Sequence, residues 1–319
     1  MMPDEIRRRM DALIAEDGGW SAHNIDLGHG IETIPGHPPR ESLSLRRVLQ
    51  TAADVAGKPL EALRVLDLAC LEGLYGLEFA RHGATVVGIE GRATGVRKAR
   101  FAAEVLHLEN IEFRQDDVRN LSVESYGRFD VVLCLGILYH LDAPDAFAFV
   151  ERIASVCTCA AIFHTHVSSS PLLARPYKDR TYWGRPFLEH LPKASTEEVK
   201  GALWASLDNS SSFWMTEASL WNLLQRAGFT SVLECRIPFL PAQGDDHKTL
   251  VALKGTPLAL ACTPKVNALP PAEWPERRPY RIHPGQRWYY RWAREVRVRF
   301  PQLRVMQRFL RIRWDRRQD

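Results

Sequence analysis

Short apolar runs at residues 63–68, 85–89, 111–114, 131–135 and 160–164 alternate with segments of helical periodicity, and this spacing constrains the chain more than any other feature. Apolar runs joined by helix-length crossovers suit parallel strands covered on both faces, so the alternation predicts a doubly wound α/β sheet. A further helix at about 216–227, closed by Gly228, precedes candidate strands at 231–237 and 249–253. These complete an expected Rossmann-like, seven-stranded sheet.

Outside this pattern the chain divides readily. Ile6, Met10, Leu13 and Ile14 recur at helical spacing, which predicts a helix over 3–16. A loop rich in Gly, Pro and His follows, and then a second helix at about 41–56. Residues 1–58 are therefore read as an N-terminal helical arm and 59–255 as the core. Within the core, the stretch 167–215, rich in Ser, Pro, Trp and Tyr, is too long for an ordinary connection and is read as an inserted lid. Residues 256–319 form a Pro-rich linker and a basic C-terminal extension. In that extension Trp288, Trp292, Val296, Phe300, Leu303, Met306, Leu310 and Trp314 recur every three or four residues among arginines, and Pro301 splits them into two expected helices. Such a surface suits docking on the core or on a second copy in a homodimer, an interfacial membrane contact, or RNA phosphates.

Whole-chain charge is modest: 42 Lys and Arg stand against 38 Asp and Glu, a net +4, which does not imply a strongly basic nucleic-acid binder. The six cysteines (Cys70, Cys134, Cys157, Cys159, Cys235, Cys262) form no CxxC pair and no zinc-like spacing, which fits reduced thiols. No leader follows the charged N-terminus, and no run of about 18 apolar residues occurs. The expected location is cytoplasmic, with peripheral membrane contact through the tail as the variant.

The segment VLDLACLEGLYG ends a buried strand at Asp67 and Leu68, turns tightly and enters a helix after Gly73. Ligands of doubly wound sheets bind beyond the carboxyl ends of the strands, where small residues such as Ala69 and Gly73 let the backbone approach. Ala69 and Leu71 stand where glycines are usual. Glu90 closes the second strand, placed to accept from both ribose hydroxyls of a nucleoside. After the third strand, Asp117 is placed to accept from an adenine amino group and the Val118 amide to donate to the ring; a helix-capping role for Asp116 or Asp117 is the structural alternative.

This loop resembles the first motif of class I S-adenosylmethionine-dependent methyltransferases. In that family Asp67, Ala69, Gly73, Glu90, Asp117 and Val118 match the usual cofactor contacts, with Asp67 anchoring the loop or the methionine amino end. WSAHNIDLGHGIETIPG, DLACLEGLYG, QDDV, CLGILYHLDAP and SFWMTEASLWNLLQRAGF resemble more closely a branch containing the bacterial tRNA wobble-uridine carboxymethyltransferase and related O-methyltransferases. The likeness runs over roughly 18–255. It implies S-adenosylmethionine as cofactor and places Trp20 and His23 in an arm beside the nucleoside; simple hydrophobic docking of Trp20 is the alternative.

Methyl transfer to a hydroxyl gains from a base at the acceptor. His140 stands just past the fourth strand, while His164 and His166 share one face of the fifth. His166 is the preferred base and His140 the second candidate. A capping or packing role is the alternative for His140. No carboxylate spacing makes His140, His164 and His166 a metal set, so no metal is expected. Tyr177, Lys178, Tyr182, Trp183, Arg185 and Trp214 in the insert suit a compact ring bearing polar groups. The expected reaction is O-methylation of a small-molecule partner: a hydroxyl of a sugar, glycan or other secondary metabolite. A tRNA-modifying (carboxy)methyltransferase is the alternative enzyme. A noncatalytic binding protein with a degenerate methyltransferase fold is the alternative class.

Overall fold

The structure, a computed structural model, describes residues 1–36, 40–240 and 244–276. The basic extension expected between 286 and 317 lies outside these residues.

The chain opens with α1 (Pro3–Asp17) and α2 (Arg40–Val55), then enters the alternating run. This comprises β1 (Arg64–Leu68), α3 (Leu74–Arg81), β2 (Thr85–Glu90), α4 (Ala93–Val105), β3 (Ile111–Gln115), α5 (Val123–Tyr126), β4 (Phe129–Leu135), α6 (Asp145–Val156) and β5 (Cys157–His166). An insertion follows: β6 (Leu173–Tyr177), β7 (Arg180–Leu188), α7 (Thr196–Gly201) and β8 (Ser211–Met215). The core then closes with α8 (Glu217–Arg226), β9 (Ser231–Glu234) and β10 (His247–Leu253).

The main sheet has seven strands in the order β3-β2-β1-β4-β5-β10-β9. Neighbours from β3 to β5 are parallel, while β10 runs antiparallel to both β5 and β9. Strand order reverses at β1/β4, which places a crevice at the carboxyl ends of these strands. β9 stops short of the expected residue 237. Pro238 lies just beyond and has no amide to donate to a ladder.

Alternation along each strand builds two layers of core. Val65, Val131, Leu133 and Ile162 pack with Val48 and Ala52 of α2 and Phe79 of α3 on one face. Leu66, Val132, Cys134 and Phe163 pack with Phe147 and Val150 of α6 and Leu220 and Leu224 of α8 on the other. Helix α2, which a boundary at 58 assigns to the arm, thus contributes directly to the sheet's own core. The rest of the N-terminal region covers α3 and α4: Ile6, Trp20, Ile25 and Ile31 are buried with Leu77, Val96 and Phe101. Arg9 fixes this contact with a bidentate pair to Glu104 at 2.6 and 2.7 Å.

The insertion is a three-stranded antiparallel sheet in the order β6-β7-β8. It joins the core through β8, where the Phe213 amide donates to Leu141 O at 3.0 Å.

Candidate active site

The turn after β1 carries three left-handed residues, Ala69, Leu71 and Gly73, with φ of 52°, 49° and 87°. Two are therefore non-glycine residues in a conformation costing on the order of 1 kcal/mol each. Gly73 admits no substitute, because an added Cβ would come within 2.8 Å of Phe113 and 2.9 Å of Ala99. The turn is held from both sides. Glu90, buried at the end of β2, accepts the Leu71 amide at 3.0 Å and the Arg92 amide at 2.7 Å. Burial raises the Glu90 carboxyl, and these amide bonds oppose that shift. From the other side Glu72 accepts the amides of Ser21, Ala22 and His23 at 2.9, 3.0 and 2.8 Å, tying the arm to the turn.

A cleft open to solvent lies beyond these strand ends. Ala69, Glu90, Asp117 and Val118 line one end, Tyr139 and His140 the other, and residues 203–208 of the insertion form a wall across it. A carboxylate oxygen has two acceptor lone pairs, so Glu90 has acceptor capacity beyond the Leu71 and Arg92 amides. Asp117 is bound to Arg119, whose guanidinium spans it and Asp208 with 2.5 Å contacts to each. Burial would raise the Asp117 carboxyl, but the Arg119 bonds hold it below its usual range. Asp117 is also the cap of the turn Val118–Asn120, accepting the Arg119 amide at 2.8 Å. A nucleoside fits these features: small residues at the turn, a buried carboxylate, and an acidic residue followed by a buried apolar one.

At the other end, the 3-10 turn Leu138–His140 presents His140 to the cleft. Its Nδ1 lies 2.9 Å from Oε2 of Glu189, a fully buried carboxylate from the insertion. The Ser206 amide and the Ser212 hydroxyl also donate to Glu189, at 2.9 and 2.6 Å.

The expected residues separate into two groups. The cleft brings together Ala69, Glu90, Asp117, Val118 and His140. Asp67, Gly73, Trp20, His23 and His166 are not among its lining residues. Asp67 lies behind the turn and accepts the Gly76 amide at 3.0 Å, so its direct contact is with the start of α3. Trp20 packs against Phe101, ring centres 6.0 Å apart, beneath the Lys98 ammonium. His23 is buried against the start of α3, and burial pushes its imidazole down to about 4.

His166 sits one ring back from the cleft. It faces His247 directly in the β5–β10 register and is stacked between that ring and Trp214, with centroid distances of 4.3 and 4.6 Å. Burial lowers its pKa, partly offset by Asp246, 3.5 Å away. His164 is similarly lowered, to about 4. Among the described residues, no group of three or more His, Cys, Asp or Glu is placed to hold a metal ion.

Several residues expected to face a ring instead fasten the insertion. Tyr177 and Lys178 bind Glu151 of α6, and Tyr182 packs on Phe147 and accepts from Arg226. Arg185 lies over Trp214. The wall of the cleft comes from 203–208, a stretch without a recognisable motif. Glu72 and Glu189 were equally silent in the sequence. Glu72 stood inside the motif turn, and its partners lie about fifty residues away.

Comparison with known proteins agrees with this architecture. Residues 65–159 match the family model described as a methyltransferase domain. A ubiquinone biosynthesis O-methyltransferase of Acinetobacter baylyi is 35% identical over 170 residues, covering 53% of this chain and 64% of that one. One of the same description from Rhodopseudomonas palustris is 38% identical over 100 residues, 30% of this chain and 36% of that one. The chain thus spans less than two thirds of the length of these relatives. Among solved structures, the N-terminal domain of EvdMO1 with SAH bound is 27% identical with a TM-score of 0.61, covering 80% of this chain and 98% of that one. The same domain in the presence of SAH and D-fucose gives 26% and 0.59, with the same coverage. The matched model, the strand order and the position of the cleft converge on one architecture: over residues 65–159 the chain is similar to a methyltransferase domain.

Proposed function

We propose that this chain is an S-adenosylmethionine-dependent O-methyltransferase acting on a hydroxyl of a small ring compound, a sugar, glycan or secondary metabolite. The observation that carries this reading is one cleft that joins Glu90 and Asp117 at one end to His140 at the other. Glu90 accepts from the ribose hydroxyls, Asp117 from the adenine amino group, and Val118 N donates to the ring. S-adenosylmethionine supplies a methyl group on a positively charged sulfur, which keeps the electron pair of the broken bond as the acceptor oxygen takes the methyl. His140 receives the proton that the hydroxyl gives up. Residues 203–208 exclude water and confine the acceptor, which favours near-attack geometry.

Two likenesses support a small-ring acceptor. The curated relatives are O-methyltransferases named for ubiquinone biosynthesis, and the solved domain was crystallised in the presence of D-fucose. Transfer of labelled methyl from S-adenosylmethionine to a panel of sugars, nucleotide sugars, phenols and bulk tRNA tests the reading. Label is expected in a ring hydroxyl, and His140→Ala should lower turnover about a hundredfold without weakening cofactor binding. Label entering tRNA alone would overturn the acceptor class.

A further inference from the structure

The carboxylate behind His140 comes from the insertion, 49 residues further along the chain. Glu189 has no exposed side-chain surface, and its two oxygens receive three polar contacts: His140 Nδ1 and Ser206 N at 2.9 Å each, and Ser212 Oγ at 2.6 Å. Burial alone would raise this carboxyl, yet the bonds from His140, Ser212 and Ser206 hold it below its usual range. An ionised carboxylate only accepts. Nδ1 of His140 then carries its hydrogen, and in the neutral ring the lone pair sits on Nε2. The backbone of the same turn is fixed as well, since Asn209 Nδ2 donates to His140 O at 2.9 Å.

We infer that Glu189 is the positioning residue of the base, holding His140 in the Nδ1–H tautomer so that Nε2 takes the acceptor's proton, and that the insertion therefore completes the active site. This rests on the reading of His140 as the base. In the step itself, the hydroxyl proton moves to Nε2 as the oxygen–methyl bond forms and the methyl–sulfur bond of the donor breaks with its electron pair kept on sulfur, and the resulting imidazolium is balanced by the Glu189 carboxylate. Ser206 belongs to the wall of the cleft, so the wall, the carboxylate and the base form one hydrogen-bonded unit.

Glu189→Gln retains shape and removes charge. It should lower kcat by roughly ten- to a hundredfold, leave cofactor Kd and acceptor KM within about twofold, and move the acidic limb of the kcat profile to lower pH. Glu189→Asp should recover part of the loss. The ¹⁵N spectrum of His140 in the intact protein gives a readout independent of turnover: Nδ1–H in the parent, and a shift toward Nε2–H in Glu189→Ala. An unchanged profile and turnover in Glu189→Gln, with His140→Ala inactive, would overturn the positioning role and leave the base intact. Full turnover in His140→Ala would overturn the base reading. In that event a parent His140 carrying its proton on Nε2 overturns the pairing too, whereas Nδ1–H upholds it.

Discussion

Burial raises the Asp67 carboxyl to about 7, against the pull of the Gly76 amide and with the nearby Glu90 charge adding to the rise. Between about 4, where an unfolded Asp titrates, and 7, the folded chain therefore holds a proton that the unfolded chain has released. The stability this proton confers is complete below about 4, falls as pH rises, and is gone above 7. Asp67→Asn abolishes that titration while keeping an acceptor for Gly76. In urea denaturation from pH 4.5 to 8, the parent should lose stability relative to the variant by about 1.4 kcal/mol for each unit of raised pKa. Parallel curves would contradict the assignment. At this scale the sequence was legible wherever a residue's role follows from its place on a strand. Glu90 closes β2 and Asp117 follows β3, and both reach the cleft. Ala69 and Leu71 stood out as departures from glycine, and both adopt the left-handed conformation that glycine would have taken. Glu189 and Glu72 were illegible, because each acts on a partner brought near only by tertiary folding.

Among elements, the stretch around 202–209 links the two ends of the cleft. Arg92, beside the Glu90 carboxylate, donates to Ala202 O and Ala205 O at 3.0 Å each, and Arg119 reaches Asp208. Gly91 lies against this wall, where an added Cβ would crowd the end of the Leu207 side chain. Arg92→Ala should leave these carbonyls without their donor. We expect faster amide exchange confined to 202–209, cofactor binding weaker by about tenfold, and a fall in turnover. Unchanged exchange would show that the wall stands without Arg92. The main strands were readable because both their faces are buried, which leaves near-continuous apolar runs. The insertion was readable only as an interruption. Its strands are partly exposed, and Gly184, Pro176 and Pro186 mask their period of two.

For the molecule as a whole, the described chain ends in a segment clasped to α8. Trp274 exchanges backbone bonds with the Asn222 side chain at 2.8 and 3.0 Å and stacks on Trp221, while Glu276 accepts from Thr216 and Ser219. All the proposed nucleoside contacts lie between Asp67 and Val118. Removing 286–319 should therefore leave cofactor affinity unchanged, as read by calorimetry on a variant that retains the clasp; lost binding in a folded truncation would move the functional boundary into the tail. Among the described residues, no helix is long and apolar enough to cross a membrane. The proposed function stands on the crevice at the β1/β4 reversal being an S-adenosylmethionine site built on Glu90. Calorimetric titration of S-adenosylhomocysteine into the parent and into Glu90→Ala, with folding of both verified by circular dichroism, tests it most directly. One site per chain is expected in the parent, weakened in the variant by about 2–4 kcal/mol through loss of two charge-assisted hydrogen bonds. No binding to the parent, or equal affinity in the folded variant, would contradict it.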